Sequence, residues 1–164
     1  MGRDSWYCVE VVEFVGHENV RAEHETTFEI TREPYLTPRG DCIIGVKASK
    51  ALKDFSDCFK RLVRSSSTRV HVIIVSEDGV VDIVSGWGSE GLTYEDPARI
   101  IVRRSSYVSG NTAAIKADKA AKDLSRALIN SLRRGSKAVA IFVAASPQRA
   151  IDHGVRGREE EASQ

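Results

Sequence analysis

A repeated segment within the chain constrains the fold more than any other feature of the sequence. Residues 46–56 and 115–125 are identical at seven of eleven positions. The match continues at the same spacing to residues 70–75 and 139–144, and with small gaps it extends backwards to residues 16–20 and 88–92. Self-similarity of this kind indicates a repeated structural unit. We therefore predict a tandem duplication, with units near residues 7–75 and 80–144.

The two units predict the same order of secondary structure. β-branched residues and partial alternation of apolar and polar residues predict four strands in each unit. The ranges are 7–15, 20–31, 42–48 and 69–75 in the first unit and 80–87, 92–103, 112–117 and 139–144 in the second. Between the third and fourth strands, apolar residues at helical spacing predict a helix, with Ser49 or Asp118 as its N-cap.

The predicted fold class is α+β and sheet-rich, with two fused β-β-β-α-β units in one domain over residues 1–145. We expect a barrel- or sandwich-like arrangement with the two helices on the outside. The pattern ends after Ala145, and residues 146–164 contain Gly154, Gly157 and a run of charged residues. We predict a disordered C-terminal tail there.

Composition limits the class of protein. The 164 residues are 41% hydrophobic, which suffices for one ordinary core. No apolar run approaches the length of a membrane helix, about 18 residues or more, and no secretory signal is apparent. We expect a soluble, cytoplasmic protein without a membrane partner. Arginine outnumbers lysine and amides are few, which favours a thermophilic source.

The cysteine pattern predicts free thiols. Cys8, Cys42 and Cys58 are odd in number and form no C-x-x-C pair. This pattern argues against a disulfide framework and a zinc knuckle, and it favours a reducing compartment.

Three segments carry a resemblance to a known family. They are GHENVRAEHETTFEIT at residues 16–31, LTPRGDCIIGV at residues 36–46 and KADKAA at residues 116–121. With the surrounding sequence, about residues 7–144, they resemble an archaeal family known as domain of unknown function family 371 (DUF371). The resemblance implies an archaeal cytoplasmic protein with a sheet-rich fold, and it implies no activity.

Polar positions that differ between the two units are candidates for a site. The pairs are His17 with Ser89, Thr27 with Arg99, Glu29 with Ile101, Asp41 with Asn111, and Cys42 with Thr112. Our candidate catalytic or ligand-binding residues are His17, His24, Arg39, Asp41 and Cys42. Arg39 could hold an anionic group, Asp41 could act as a base and Cys42 as a thiol. The alternative is a structural loop in which Asp41 caps backbone amides and Cys42 is a small buried residue.

Alternation along the predicted second strand assigns its side chains to two faces. The even-numbered positions form the more apolar face, so His24 should point inward, with Thr27 and Glu29 on the opposite face. The counterpart of His24 is Asp96, and the two could pair across a pseudo-twofold axis, either as a structural pair or beneath a ligand pocket. Cys42 would lie too far along the strand from His24 for both to bind zinc. No metal site and no cofactor are predicted.

A basic stretch supports a different hypothesis. Residues 99–137 contain ten Lys and Arg residues against Asp118 and Asp123. The candidate nucleic-acid-binding residues are Lys116, Lys119, Lys122, Arg126, Arg133 and Arg134. They predict a non-enzymatic binding module for an anionic partner such as RNA. Two alternatives stay open: a solvated helix face, and a small-ligand-binding protein or enzyme whose site lies in the first unit.

Overall fold

The computed structural model describes residues 5–163 and contains two four-stranded sheets and three α-helices. The strands are β1 (Tyr7–Val15), β2 (Thr27–Thr31), β3 (Ile43–Gly45), β4 (Arg69–Ser76), β5 (Val81–Trp87), β6 (Arg99–Arg103), β7 (Thr112–Ala114) and β8 (Lys137–Ala145). The helices are α1 (Asp57–Val63), α2 (Arg126–Arg133) and α3 (Pro147–Ala162), and short 3₁₀ turns at Leu52–Asp54 and Ala121–Asp123 precede the first two. This architecture confirms the predicted sheet-rich α+β class.

The first sheet has the strand order β1-β8-β4-β5, and every neighbouring pair is antiparallel. Its side chains alternate strictly between a buried face and a face that no other element covers completely. The buried face includes Cys8, Val72, Val84 and Phe142. This period of two follows from the pleat of an extended chain.

The second sheet has the order β3-β2-β6-β7. β2 and β6 are antiparallel at its centre, while β3 and β7 lie parallel to β2 and β6 at its edges. Isolated bridges between Val15 and Val46 and between Trp87 and Ile115 tie each end to the first sheet. The strands described in residues 5–163 form two separate sheets and no closed barrel, which is against the barrel-like form of the predicted barrel- or sandwich-like arrangement.

The element order β-β-β-α-β occurs in each half of the chain, and equivalent contacts anchor each helix. Glu10 on β1 accepts hydrogen bonds from Lys50 at 2.7 Å and from the Ser56 amide at 2.9 Å. Asp82 on β5 accepts from Lys119 at 2.6 Å and from the Ser125 amide at 2.7 Å. These contacts agree with the predicted repeat, whose origin by duplication stays a prediction.

Helices α1 and α2 begin later than the sequence predicts. Their N-caps are Ser56 and Ser125, not Ser49 and Asp118. The Ser49 hydroxyl accepts from the Glu13 amide, and the Asp118 carboxylate accepts from the Ser85 amide, each at 2.9 Å. Ser49 and Asp118 therefore accept hydrogen bonds from backbone amides of the edge strands β1 and β5. The 3₁₀ turns separate both residues from the helices.

The two helices pack on the buried face of the first sheet. Phe55 lies just before α1 and contacts Phe59, Tyr94 and Phe142, with ring centroids 5.0 to 5.5 Å apart. Phe142 comes from the first sheet, and Tyr94 comes from the segment before β6. The aromatic cluster therefore joins the first sheet, α1 and the second-sheet segment in one core, with the edge-to-face geometry that aromatic pairs favour.

A disulfide joins Cys8 on β1 to Cys58 on α1, with the Cα atoms 6.3 Å apart. The prediction of three free thiols is therefore wrong, and Cys42 is the free cysteine of the chain. Local sequence could not show this pairing because fifty positions separate the two residues, and only the packing of α1 on β1 brings them together.

The C-terminal residues differ from the predicted disordered tail. Pro147 opens α3, a 16-residue helix, and the Ser146 hydroxyl accepts from the Arg149 amide at its N-cap. Pro at the first helical position and Ser at the N-cap are the usual start signals of a helix. The described residues of α3 include no buried side chain.

Candidate functional site

Both faces of β2 are buried, which is unusual for a strand with this composition. Phe28 and Ile30 face the core, while Thr27, Glu29 and Thr31 on the opposite face are 9%, 6% and 2% exposed. A strand buried on both faces normally carries apolar residues on both. The buried polar face of β2 is therefore a candidate location for a functional site.

Glu29 is the most distinctive residue on this face. Three carboxylate residues of the described chain are buried: Glu10, Glu29 and Asp82. Glu10 and Asp82 are each paired with a lysine and a backbone amide. Within residues 5–163 the Glu29 carboxylate has no hydrogen-bond or ion-pair partner. Within residues 5–163 no fully buried side-chain oxygen lacks a hydrogen bond, so the Glu29 carboxylate reaches solvent through the small exposed part of the residue.

Burial raises the pKa of Glu29 above its ordinary value, because the charged form loses solvation. Arg99 and Arg103 act in the opposite direction, and Asp96 and Glu33 raise the pKa further. Glu29 lies opposite Ile101 on β6, and the two arginines flank that position at a spacing of two residues. Glu29 therefore shares one face of the second sheet with Arg99 and Arg103, and it forms an ion pair with neither.

Arg103 is fixed by uncharged partners. Its Nε donates to Thr112 Oγ1 at 2.8 Å, and its Nη2 donates to Asn111 Oδ1 at 2.9 Å. The guanidinium lies 4.8 Å from the ring centroid of Tyr107, which is 62% exposed. No carboxylate of the described residues forms an ion pair with Arg103. Its positive charge is therefore oriented but not neutralised.

Cys42 borders the same group of residues. Its carbonyl accepts from the Glu29 amide at 2.9 Å, and its thiol is half-buried. Burial, with a contribution from Glu29, raises the pKa of the thiol to about 11, and a hydrogen bond from Thr27 offsets this in part. We call Thr27, Glu29, Cys42, Arg103 and Thr112 the Glu29 cluster. At neutral pH its thiol is protonated, which makes Cys42 a poor nucleophile.

The predicted pair of His24 and Asp96 does not form. His24 Nδ1 accepts from the amides of Thr26 and Thr27, at 3.2 and 3.1 Å. Asp96 Oδ1 accepts from the amides of Ala98 and Arg99, each at 2.8 Å. Each side chain caps the turn that leads into its own strand, β2 or β6. His24 and Asp96 are equivalent residues with the same structural role, and they are not partners.

The other candidates of the first unit lie near the cluster without joining it. His17 Nδ1 accepts from the Asn19 amide at 3.0 Å and closes the turn after β1. The Asp41 carbonyl accepts from the amides of Glu23 and His24. Arg39 is exposed in the loop before β3 and makes no side-chain hydrogen bond to the described residues. Cys42 is thus the one candidate of the five whose side chain belongs to the cluster.

Four of the six predicted nucleic-acid-binding residues are engaged in internal contacts. Lys119 pairs with Asp82, and Arg134 pairs with Asp78 at 2.9 Å. Arg126 donates to the carbonyls of four residues, namely Ala22, Ala121, Lys122 and Leu124. Arg133 donates to the Val20 carbonyl at 2.9 Å. Lys116 and Lys122 are exposed, and their side chains have no partner among the described residues.

Residues 5–163 contain neither a membrane-spanning helix nor a cluster of metal-binding side chains. No helix in this part of the chain combines the length and the apolar character needed to cross a bilayer. The same residues contain no group of three or more His, Cys, Asp or Glu side chains placed to hold a metal ion.

The fold and the cluster together define an α+β protein with two open sheets and a buried polar site on the second. Comparison with known sequences places it in a family. The model of DUF371, a domain of unknown function, matches residues 12–145, and the chain belongs to that family. An uncharacterised protein of Methanocaldococcus jannaschii is 37% identical over 129 residues, which cover 79% of this chain and 94% of that relative.

Sequence reasoning missed Arg103 as a site residue and included Glu29 only among the positions that differ between the two units. Glu29 stands where the second unit has Ile101, and Thr27 where it has Arg99. Alternation placed Thr27 and Glu29 opposite the more apolar face, and neither was among the five final candidates. Burial of that face is a tertiary effect that the local pattern does not contain.

Proposed function

We propose that the Glu29 cluster binds a small anionic molecule with a carboxylate or phosphate group. The observation that carries the proposal is the buried Glu29 carboxyl, which has no partner within residues 5–163, beside the oriented guanidinium of Arg103. The carboxylate oxygens of Glu29 reach solvent, so a ligand can contact them without breaking an existing hydrogen bond.

The chemistry of the cluster favours an anion over a cation. Burial favours the protonated, uncharged form of Glu29, which can donate a hydrogen bond to a ligand oxygen. Arg103 supplies a positive charge and a planar fork that matches carboxylate and phosphate oxygens. The hydroxyls of Thr27 and Thr112 add two further polar groups, and the exposed ring of Tyr107 marks the solvent side.

Thermal denaturation of the full chain with a panel of small carboxylates and phosphate monoesters tests this proposal. A ligand that binds only the folded state raises the melting temperature, and the increase grows with the logarithm of its concentration above the dissociation constant. We expect at least one compound to raise it by several degrees in the wild type and not in Arg103→Gln. Arg104→Gln is the matched control, because Arg104 is adjacent, exposed and paired with Asp123. Wild-type behaviour of Arg103→Gln, or no response to any compound, would rule out the site.

A second candidate function is binding of an anionic macromolecule such as RNA. The observation that favours it is the position of Lys116 and Lys122, whose side chains are free of contacts in the described chain. The Lys116 amide donates to Ser105 just after β6, and the Lys122 amide donates to His24 just before β2. Because β2 and β6 are antiparallel, both lysines lie at the same end of the second sheet.

Fluorescence anisotropy with generic RNA and duplex DNA, from low to moderate salt, tests this candidate. Lys116→Glu/Lys122→Glu should weaken binding and reduce the slope of log affinity against log salt by about 2. The control is Lys47→Glu/Lys53→Glu, which changes the equivalent exposed lysines of the first unit at the other end of the sheet. No binding at low salt, or equal losses for both double variants, would exclude a specific interface.

The cellular setting and the origin of the chain are also proposals. A relative in Methanocaldococcus jannaschii supports an archaeal source, while the thermophilic source and the cytoplasmic setting are proposed from the composition and the absence of an apparent secretory signal. The Cys8–Cys58 disulfide is compatible with it, because intracellular proteins of hyperthermophilic archaea are rich in disulfides. The equivalent contacts of Glu10 with Lys50 and of Asp82 with Lys119 support an origin by duplication.

A further inference from the structure

The face of the first sheet that points away from the core is apolar across all four strands. Register places its outward residues in cross-strand rows. The central rows are Val9, Val143, His71 and Ser85; then Val11, Ile141, Ile73 and Ile83; then Glu13, Val139, Val75 and Val81. We call this surface the outer face.

Several outer-face residues are strongly exposed. Val9 and Val11 on β1 are 40% and 45% exposed, and Val81 and Ile83 on β5 are 51% and 49% exposed. Monomeric proteins rarely expose a continuous apolar surface of this kind. Helix α3 does not cover it, since the helix has no buried residue among those described. Strands β4 and β8 carry apolar residues on both faces, as strands buried on both sides do.

We infer that the outer face is the interface of a homodimer, in which two copies of this chain pack sheet against sheet around a twofold axis. The inference is independent of the function proposed for the Glu29 cluster. Three properties of the outer face argue for a second copy as the occupant: its area, its charges and its shape.

The area reaches the size that a stable dimer needs. Four strands about 4.8 Å apart, with seven to nine residues at about 3.3 Å each, give a flat area of roughly 500 Å² per copy. Two copies would then bury at least about 1,000 Å², which is the lower limit for a specific interface. Side-chain relief raises the true accessible area above this flat value.

The charges at the two ends of the outer face are complementary. Arg69 lies at one end of β4, and Glu77 follows the other end of the same strand. Glu13 lies beside Glu77 at that second end, where Lys47 and Lys137 also line a cavity. A twofold axis across the strands, through the row of Ile73 and Ile141, places the Arg69 end of one copy over the Glu77 end of the other.

The shape of the two ends is also complementary. The Arg69 guanidinium stacks 4.0 Å above the ring centroid of Trp87, and Tyr7 stands in the same cross-strand row. These bulky side chains project at the basic end. At the opposite end a cavity of about 550 Å³ is lined by outer-face residues that include Glu13, Val75, Glu77 and Val139. The same twofold axis brings the projecting side chains of each copy to the cavity of the other.

The mass of the full chain in solution, measured by light scattering during size-exclusion chromatography at tens of micromolar, tests the inference. The wild type should have twice the mass of one chain. Val11→Lys/Ile83→Lys places two charges in the apolar row and should give a monomer with an unchanged circular dichroism spectrum. Ile151→Lys on α3, where the side chain is 60% exposed and outside the outer face, should remain a dimer.

The orientation of the two copies about the twofold axis is tested separately. Arg69→Glu and Glu77→Arg should each raise the dimer dissociation constant at least tenfold, and the double variant should recover most of the loss. A monomeric wild type, a dimer that survives Val11→Lys/Ile83→Lys, or dissociation by Ile151→Lys would overturn the interface. Failure of the double variant to recover would overturn the twofold arrangement described above.

Discussion

At the level of single residues, Glu29 distinguishes the candidate site, because it is buried like Glu10 and Asp82 but lacks their hydrogen-bond partners. The fold places Glu29 on β2, on the sheet face that carries two arginines, and no described residue completes its hydrogen bonds. A group in this position destabilises the free protein when it ionises. This cost is measurable without knowledge of the ligand.

Glu29→Gln should raise the free energy of unfolding at pH 7.5 by about 1 kcal/mol, because the amide removes an ionisable group from a buried site. The raised pKa of Glu29 means that its favourable contribution is present below about pH 4.5 and is lost as the pH rises through the folded-state pKa. Urea unfolding of wild type and variant at several pH values measures the difference, which should shrink at acid pH.

Glu10→Gln is the control for this prediction. Glu10 is similarly buried but accepts from Lys50 and from the Ser56 amide, so its removal should lower the free energy of unfolding by about 1 to 3 kcal/mol. If Glu29→Gln destabilised the protein as much as Glu10→Gln, Glu29 would have a structural role that the contacts do not reveal.

Cys42 should react slowly with iodoacetamide in the folded protein. Burial raises the pKa of its thiol to about 11, so little thiolate exists at pH 8. Mass spectrometry over time should show at least a tenfold lower rate than for the unfolded, unreduced chain. If Cys42 in the folded protein reacted as fast as an unprotected cysteine, that result would contradict the buried environment of its thiol.

At the level of elements, the strands of the first sheet were predictable almost to the residue, while those of the second were predicted in the right order but too long. β1 was predicted at residues 7–15 and is found there. The second strand was predicted at residues 20–31, but β2 begins at Thr27, after a segment in which Ala22 has a φ of 52°. A positive φ at alanine is imposed by tertiary contacts, so the local pattern could not show where the strand begins.

The same dependence on tertiary contacts explains why the candidate site was predicted only in part. The sequence identified the region of Asp41 and Cys42, and the difference between Glu29 and Ile101 was visible in the repeat. Alternation correctly separated Phe28 and Ile30 from Thr27 and Glu29. It could not show that the second group is buried as well, because that depends on what packs over the sheet.

Arg126 should be more important for the stability of α2 than its exposure suggests. It donates to the carbonyls of Leu124, Ala121, Lys122 and Ala22, which ties α2 to the segment before β2. Arg126→Ala should lower the free energy of unfolding by about 2 kcal/mol. Lys122→Ala, which removes an exposed side chain without a described partner, should change it by less than about 0.5 kcal/mol. Equal effects in urea unfolding would contradict the structural role of Arg126.

The Cys8–Cys58 disulfide should stabilise the packing of α1 on β1. It closes a loop with a sequence separation of 50, for which chain entropy gives a stabilisation of about 4 kcal/mol. Cys8→Ala/Cys58→Ala should therefore lower the urea midpoint, and reductant should lower that of the wild type similarly. Thiol titration of the denatured, unreduced chain should detect one thiol. Three thiols without reductant would mean that the bond does not form.

At the scale of the whole molecule, the two sheets have different roles. The first sheet uses its buried face for the core and leaves an apolar outer face, which we assign to a second copy. The second sheet is buried on both sides at β2 and places polar groups there. Two of the six residues of the basic surface predicted from the sequence join the two halves, since Arg126 and Arg133 donate to the carbonyls of Ala22 and Val20.

The most direct test of the proposed site is an amide chemical-shift titration of the labelled full-length protein with the panel of small carboxylates and phosphate monoesters. The account predicts saturable shifts centred on Thr27, Glu29, Cys42, Arg103 and Thr112, with loss of saturation in Arg103→Gln and not in Arg104→Gln. Shifts confined to the surroundings of Lys116 and Lys122, or an absence of saturable shifts for every compound, would contradict it.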